Sequence, residues 1–127
     1  MYKMSEKTKS YDVRQKFANM PLEKKQKETT NLAMKYPSKL PVIIYTKTKG
    51  VPEPGKCKYL IDKNVSVAEF LSVLRKYIKL SPSESIFLFT ENNSIPASSQ
   101  LMSQIYDQNK NEDKFLYLEY TFENTFG

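Results

Sequence analysis

The order of apolar and polar positions divides the chain into helices, strands and turns. Residues 1–20 have only Tyr11, Val13 and Phe17 as larger apolar anchors besides methionines, which predicts a weak helix with ragged ends. Asn19-Met20-Pro21 then punctuates the chain, with Asn19 able to cap and Pro21 suited to an early helical position. A second helix is expected from about Pro21 to Lys35, with Leu22, Thr29, Ala33 and Tyr36 on one stripe and Glu28 and Leu32 on the next. Tyr36-Pro37 ends it, because a residue before proline is pushed out of the helical region. Leu40 to Thr46 reads as a strand, the Pro- and Gly-rich stretch 49–55 as a turn, and Lys58 to Ile61 as a shorter returning strand.

The next helix is the best marked. Ser66 and Glu69 form a capping-box pattern, Val65 and Phe70 a hydrophobic staple, and Val67, Phe70, Leu71, Leu74 and Ile78 recur on one face. Ile86 to Phe89 is a third strand, followed by a turn at 91–94. A short helix follows, capped by Ser98 or Ser99, with Leu101, Met102, Ile105 and Tyr106 inward. The last strand, Phe115 to Thr121, is apolar on both parities and is therefore expected to be central and covered on both faces. Strand, strand, helix, strand, short helix, strand is the order of an α+β ubiquitin-like β-grasp: a four-stranded mixed sheet on a central helix, here preceded by two extra N-terminal helices. The expected divisions are an N-terminal helical subdomain at 1–36, the β-grasp core at 37–121, and a flexible tail at 122–127.

Charge adds an asymmetry. Residues 1–41 hold ten Lys/Arg against four Asp/Glu, and 42–127 hold ten against ten, so the whole excess of +6 is N-terminal. A basic helical flank suits acidic partners such as tubulin, or anionic lipid, and reads equally as a solvated face. No nucleic-acid reading motif accompanies it, so no nucleic-acid partner is expected. No apolar run approaches the length of a membrane span and no signal peptide is recognisable, which predicts a soluble, cytoplasmic protein. The lone Cys57 fits a reducing compartment and reads as a spare thiol.

Catalysis finds little support. There is no histidine, the carboxylates show no metal-loop spacing, and the glycines at 50, 55 and 127 make no phosphate loop. The expectation is no enzyme, no cofactor and no metal. Binding is better served. An edge strand at Lys58–Ile61 could accept an added peptide strand, with Lys58 poised for an acidic residue; the same features also describe an ordinary lysine-blunted edge. The tail ending on Gly127 suits a chain whose terminal carboxyl is the reactive group, since glycine has no Cβ to hinder attack. It reads as well as an idle terminus.

The segments Lys35-Tyr36-Pro37, Leu40 to Ile44, Lys58-Tyr59-Leu60, Phe70 to Leu80, Ile86 to Pro96, Leu101 to Tyr106 and Phe115-Leu116-Tyr117 match one family in order and spacing. With Glu123 to Gly127, the chain resembles the autophagy ubiquitin-like modifiers of the microtubule-associated light chain three and GABA-receptor-associated type. The resemblance covers about Leu22 to Gly127. It implies conjugation of Gly127, presented by Thr125 and Phe126, to phosphatidylethanolamine through activating and conjugating enzymes. A cysteine protease would process and later delipidate the protein, which would sit on autophagosome membranes when lipidated.

The resemblance further implies binding of adaptors and receptors that carry aromatic-x-x-aliphatic motifs. The aromatic pocket would be Glu28, Leu32, Pro41, Ile43, Lys58, Leu60 and Phe115. The aliphatic pocket would be Tyr59, Ile61, Val65, Phe70, Val73 and Leu74, with Lys39 and Lys58 meeting acidic flanks. Departures from the family pattern stand at Leu22 (usually aromatic), Cys57 (lysine), Asp62 (often proline) and Tyr77 (arginine). The alternative reading is a non-conjugated scaffold that holds microtubules or other acidic partners through its basic helices.

Overall fold

A computed structural model describes residues 9–124. The elements are α1 (Lys9–Asn19), α2 (Leu22–Lys35), β1 (Lys39–Tyr45), β2 (Lys58–Asp62), α3 (Val67–Tyr77), β3 (Glu84–Thr90), α4 (Met102–Asn109) and β4 (Leu116–Asn124). The sheet has four strands in the order β2-β1-β4-β3. β1 pairs antiparallel with β2 and parallel with β4, and β3 pairs antiparallel with β4. This is the ubiquitin-like α+β architecture, with β4 central.

Parity along the central strands sorts the core onto two faces. Leu40, Val42 and Ile44 of β1, with Leu116, Leu118 and Tyr120 of β4, join Phe70, Leu74 and Ile78 of α3 in one cluster. Ile43 and Tyr45, with Phe115 and Tyr117, join Phe17 of α1 in a second cluster on the opposite face. A strand apolar on both parities needs a cover on each side, which α3 and the N-terminal helices provide.

Alpha3 begins as its sequence dictates. The Ser66 hydroxyl accepts from the Glu69 N–H at 3.1 Å, and the Glu69 carboxylate accepts from the Ser66 N–H at 2.8 Å. Two further N–H groups of its first turn are satisfied from outside the helix. Val67 donates to the Gln100 carbonyl at 2.9 Å and Ala68 to that of Ser98 at 3.0 Å. The serines expected to cap α4 thus lie in a turn whose backbone caps α3. Alpha4 starts from Leu101 without a side-chain cap; the Gln104 side chain accepts from the Leu101 N–H at 3.0 Å. Met102 and Ile105 are buried as expected, whereas Leu101 is exposed.

Alpha2 also departs from expectation. Its inward residues are Lys25 and Thr29, whereas Leu22, Ala33 and Tyr36 are exposed. Polar contacts replace the apolar stripe. The Lys25 ammonium donates to the Phe17 carbonyl at 2.7 Å and lies 3.6 Å from the Asp113 carboxylate, while the Thr29 hydroxyl donates to the Asp113 carbonyl at 2.8 Å. Asn19 closes α1 rather than capping α2, whose N-cap is Pro21 with no side-chain bond. Beta4 runs to Asn124, past the expected end at Thr121, because Phe122 packs against the α3-side core opposite Ile86. Residues 122–124 of the expected tail are therefore strand.

Alpha1 is held by a charged clamp. The Glu91 carboxylate accepts from Arg14 at 2.7 and 2.9 Å and from the Tyr45 hydroxyl at 2.8 Å, and the guanidinium sits 3.8 Å from the Tyr117 ring centre. Burial pushes the Glu91 carboxyl up. The Arg14 and Tyr45 hydrogen bonds and the nearby positive charge outweigh that and hold it below its ordinary value.

Ser66→Ala costs about 1 kcal/mol of unfolding free energy, whereas Ser98→Ala changes it by less than about 0.5 kcal/mol, both read by urea denaturation. A carboxyl depressed in the folded state contributes stability that is present above its unfolded value and lost as pH falls through the folded one. Stability of the wild type therefore declines more steeply than that of Glu91→Gln as pH falls below about 4.3. Parallel stability curves for the two proteins would show that the clamp does not act in this way.

Candidate functional site

Beta2 is an edge strand, and its alternation sends neighbouring side chains to opposite faces. Tyr59 and Ile61 turn toward α3 and are buried, while Lys58 is exposed and Leu60 half-buried on the face of the N-terminal helices. The predicted site residues divide across the sheet accordingly.

On the N-terminal-helix face, Ile43 and Phe115 are buried in the cluster that holds Phe17, Pro41 is buried two residues before Ile43, and Leu60 and Leu32 are half-buried. Phe115 stacks on Phe17 at 5.3 Å, so α1 supplies part of that cluster. The Lys58 ammonium meets the Glu28 carboxylate at 2.5 Å and lies 5.5 Å from the Phe17 ring centre and 5.8 Å from that of Phe115. The pair links β2 to α2. Being largely exposed, such a pair adds at most about 1 kcal/mol and can open for a ligand. Lys39 lies apart from this group, opposite Asp62 at the far end of the β1–β2 ladder.

On the α3 face, Tyr59, Ile61, Phe70 and Leu74 are core residues, and Val65 and Val73 are half-buried at the margin. Tyr59 meets Phe70 edge-on at 5.8 Å and Tyr77 at 5.7 Å. Tyr77, at 42% exposure, closes this side with a ring where the family pattern has arginine, and the Lys56 ammonium lies 4.9 Å from the Tyr59 ring centre. The Tyr59 hydroxyl is buried without a hydrogen-bond partner among the described residues. Burial, with Tyr77 and Cys57 nearby, pushes it up to about 12. Sequence reasoning gave no sign of this aromatic and lysine cluster, because it needs Lys56, Tyr59 and Tyr77 brought together from separate elements.

The remaining departures are local. Asp62 accepts from the Asn64 N–H at 2.9 Å and so builds the turn after β2. Cys57 is half-buried, and burial followed by the Glu53 charge pushes its thiol up, so the adjacent lysines do not activate it. Thr125, Phe126 and Gly127 lie outside the described residues. Among the described residues there is no acidic, cysteine or histidine cluster that could hold a metal, and no helix long and apolar enough to cross a membrane. Of the basic flank, Lys25 is buried in bonds, while Lys16, Lys24, Lys27 and Lys35 are exposed.

A cavity of about 520 Å³ opens between α2, the start of β1 and α4. It takes in Lys39 and Pro41 from the predicted set and extends to Lys63 and Lys114.

The comparisons with known proteins agree with this geometry. A family model described as autophagy protein Atg8, ubiquitin-like, matches residues 24–127. Autophagy-related protein 8A of Oryza sativa is 47% identical over 108 residues, covering 84% of this chain and 90% of the relative. The crystal structure of Trypanosoma brucei ATG8 superposes with a TM-score of 0.78 at 33% identity, covering 87% of this chain and 95% of that one. Plasmodium falciparum Atg8, solved in complex with a Plasmodium falciparum Atg3 peptide, gives a TM-score of 0.73 at 32% identity, covering 82% and 92%.

Proposed function

The chain belongs to the Atg8 family of autophagy-related ubiquitin-like proteins, and we propose that it works by two coupled devices. One is conjugation through Gly127 to phosphatidylethanolamine; the other is capture of aromatic-x-x-aliphatic motifs along β2. Tethering would place the domain on an autophagic membrane, and motif capture would bring adaptors, receptors and pathway enzymes to it.

The observation that carries the reading is the arrangement at β2. A peptide that adds beside an edge strand satisfies free backbone groups and continues the pleat. Residues three apart in such a strand have opposite parity, so an aromatic and an aliphatic side chain at that spacing leave on opposite faces. Along β2, Leu60 and the Tyr59–Ile61 pair face opposite sides of the sheet, which supports one anchor on each side. A motif spaced by two or four could not reach both. The Plasmodium falciparum Atg8 complex with an Atg3 peptide supports peptide capture by this fold, and supports a conjugating enzyme among the partners.

Substitutions separate the two devices. Ile43 and Phe115 are fully buried, so charged replacements there would act on folding; Leu60 is half-buried and is the better probe. Leu60→Arg is expected to weaken a motif peptide by ~1.5–3 kcal/mol, the value of one large apolar anchor. Unchanged calorimetric affinity would remove the aromatic recess. Gly127→Ala is expected to abolish thioester and lipid adducts in a reconstituted conjugation reaction while leaving thermal unfolding unaltered. Conjugation of Gly127→Ala at the wild-type level would overturn Gly127 as the point of attachment, whereas no adduct on the wild type itself would favour a scaffold that is never tethered.

A further inference from the structure

The cavity between α2 and α4 is built unlike the two recesses. Ala33, Met34, Leu40 and Pro41 line part of it, and Lys39, Lys63 and Lys114 line it from three separate segments. Against these three lysines stands one carboxylate, Asp107, so the lining carries net +2 (3 − 1). Among the described residues no ion pair ties down any of the three lysines. Met34 at its rim is 77% exposed, an unbranched side chain able to shape itself to an apolar guest.

The walls are fixed by backbone bonds. Lys63 donates its N–H to the Ser38 carbonyl at 3.0 Å, Ser103 donates to the Lys63 carbonyl at 3.3 Å, and the Tyr106 hydroxyl donates to the Lys114 carbonyl at 2.6 Å. At about 520 Å³ the space is of the size that holds one or two side chains or a small ligand.

Its position relates it to β2. The aromatic recess is centred on Lys58 and Leu60, and the aliphatic recess on Tyr59 and Ile61 with Val65 beyond, so a motif strand there runs in the direction of β2. Its C-terminal side then leaves past Asp62, whose register partner is Lys39 and whose successor is Lys63. We propose that the cavity takes an apolar side chain flanked by carboxylates, supplied by an acidic segment C-terminal to the motif in the same peptide. This rests on the edge-strand reading above and extends it to a third contact. Desolvated apolar contact would supply affinity, and the lysines would select the acidic flank and speed encounter.

The test compares two synthetic peptides on the full chain by calorimetry: an aromatic-x-x-aliphatic core, and the same core extended by a spacer and a leucine between aspartates. The extended peptide is expected to bind about tenfold tighter. The Lys63→Glu/Lys114→Glu variant, and separately Ala33→Trp, which fills the cavity, are expected to lose that gain while binding the core peptide unchanged. Core binding with no gain from the extension, or a gain that survives both variants, overturns the third contact alone. Binding of neither peptide overturns the edge-strand reading and this inference with it. Charge-reversal-sensitive binding to phosphatidylserine–phosphatidylcholine vesicles, with no peptide gain, would assign the cavity to a lipid surface and overturn the peptide.

Discussion

The parallel pairing of β1 with β4 is the constraint from which the architecture follows. Val42 through Tyr45 lie beside Leu116 through Glu119, and nearly every side chain in that block is buried. A parallel pair of this kind cannot leave a face in water. It therefore demands α3 on one side and the N-terminal helices on the other, and it forces β2 to an edge. The proposed motif-binding surface is what remains once both faces are covered: the strip where two separate cores come to the margin of the same strand.

The two covers are held differently. Alpha3 packs by apolar burial along Val67, Phe70, Leu74 and Ile78, the ordinary drive for a helix on a sheet. Alpha1 and α2 bring few apolar groups, and Phe17 is their one buried large apolar side chain among the described residues. Polar contacts complete their seat. Asp113 is the centre of these: its carboxylate accepts from the Phe115 N–H at 2.8 Å and the Tyr117 hydroxyl at 2.5 Å and faces Lys25, while its carbonyl accepts from Thr29. Each buried polar group there has a partner, so the desolvation of a lysine and an aspartate is offset by bonds rather than left as strain.

The sequence was most readable where burial follows period. The double-parity run of β4, the stripe of α3 and the Ser66–Glu69 box each announce themselves locally, and the element order followed from them. Of the stripe read on α2, Thr29 is inward but Leu22, Ala33 and Tyr36 are not, and Lys25 was missed because it is charged; only partners from 17 and 113 make these polar burials tolerable, and no local pattern reveals those partners. Likewise the role of Ser98 and Gln100 lies in their backbone carbonyls, to which side-chain identity is no guide. The paired recesses were placed by family likeness, and the geometry adds why a spacing of three suits them. The lysine-rimmed cavity and the Lys56–Tyr59–Tyr77 cluster were invisible in one dimension, since each joins residues from elements far apart in the chain.

Phe17 lies under Phe115 and beneath the Lys58 ammonium, so a residue far upstream of the strand edge forms part of the wall a bound aromatic ring would touch. If motif peptides seat at β2 as proposed, selectivity would reach into the first helix: trading that ring for a smaller side chain would reshape the aromatic site with every residue of β2 untouched. Alpha1 lies ahead of the residues 24–127 that the family model matches, so in the motif-binding reading it would tune ligand preference while leaving the matched edge strand alone.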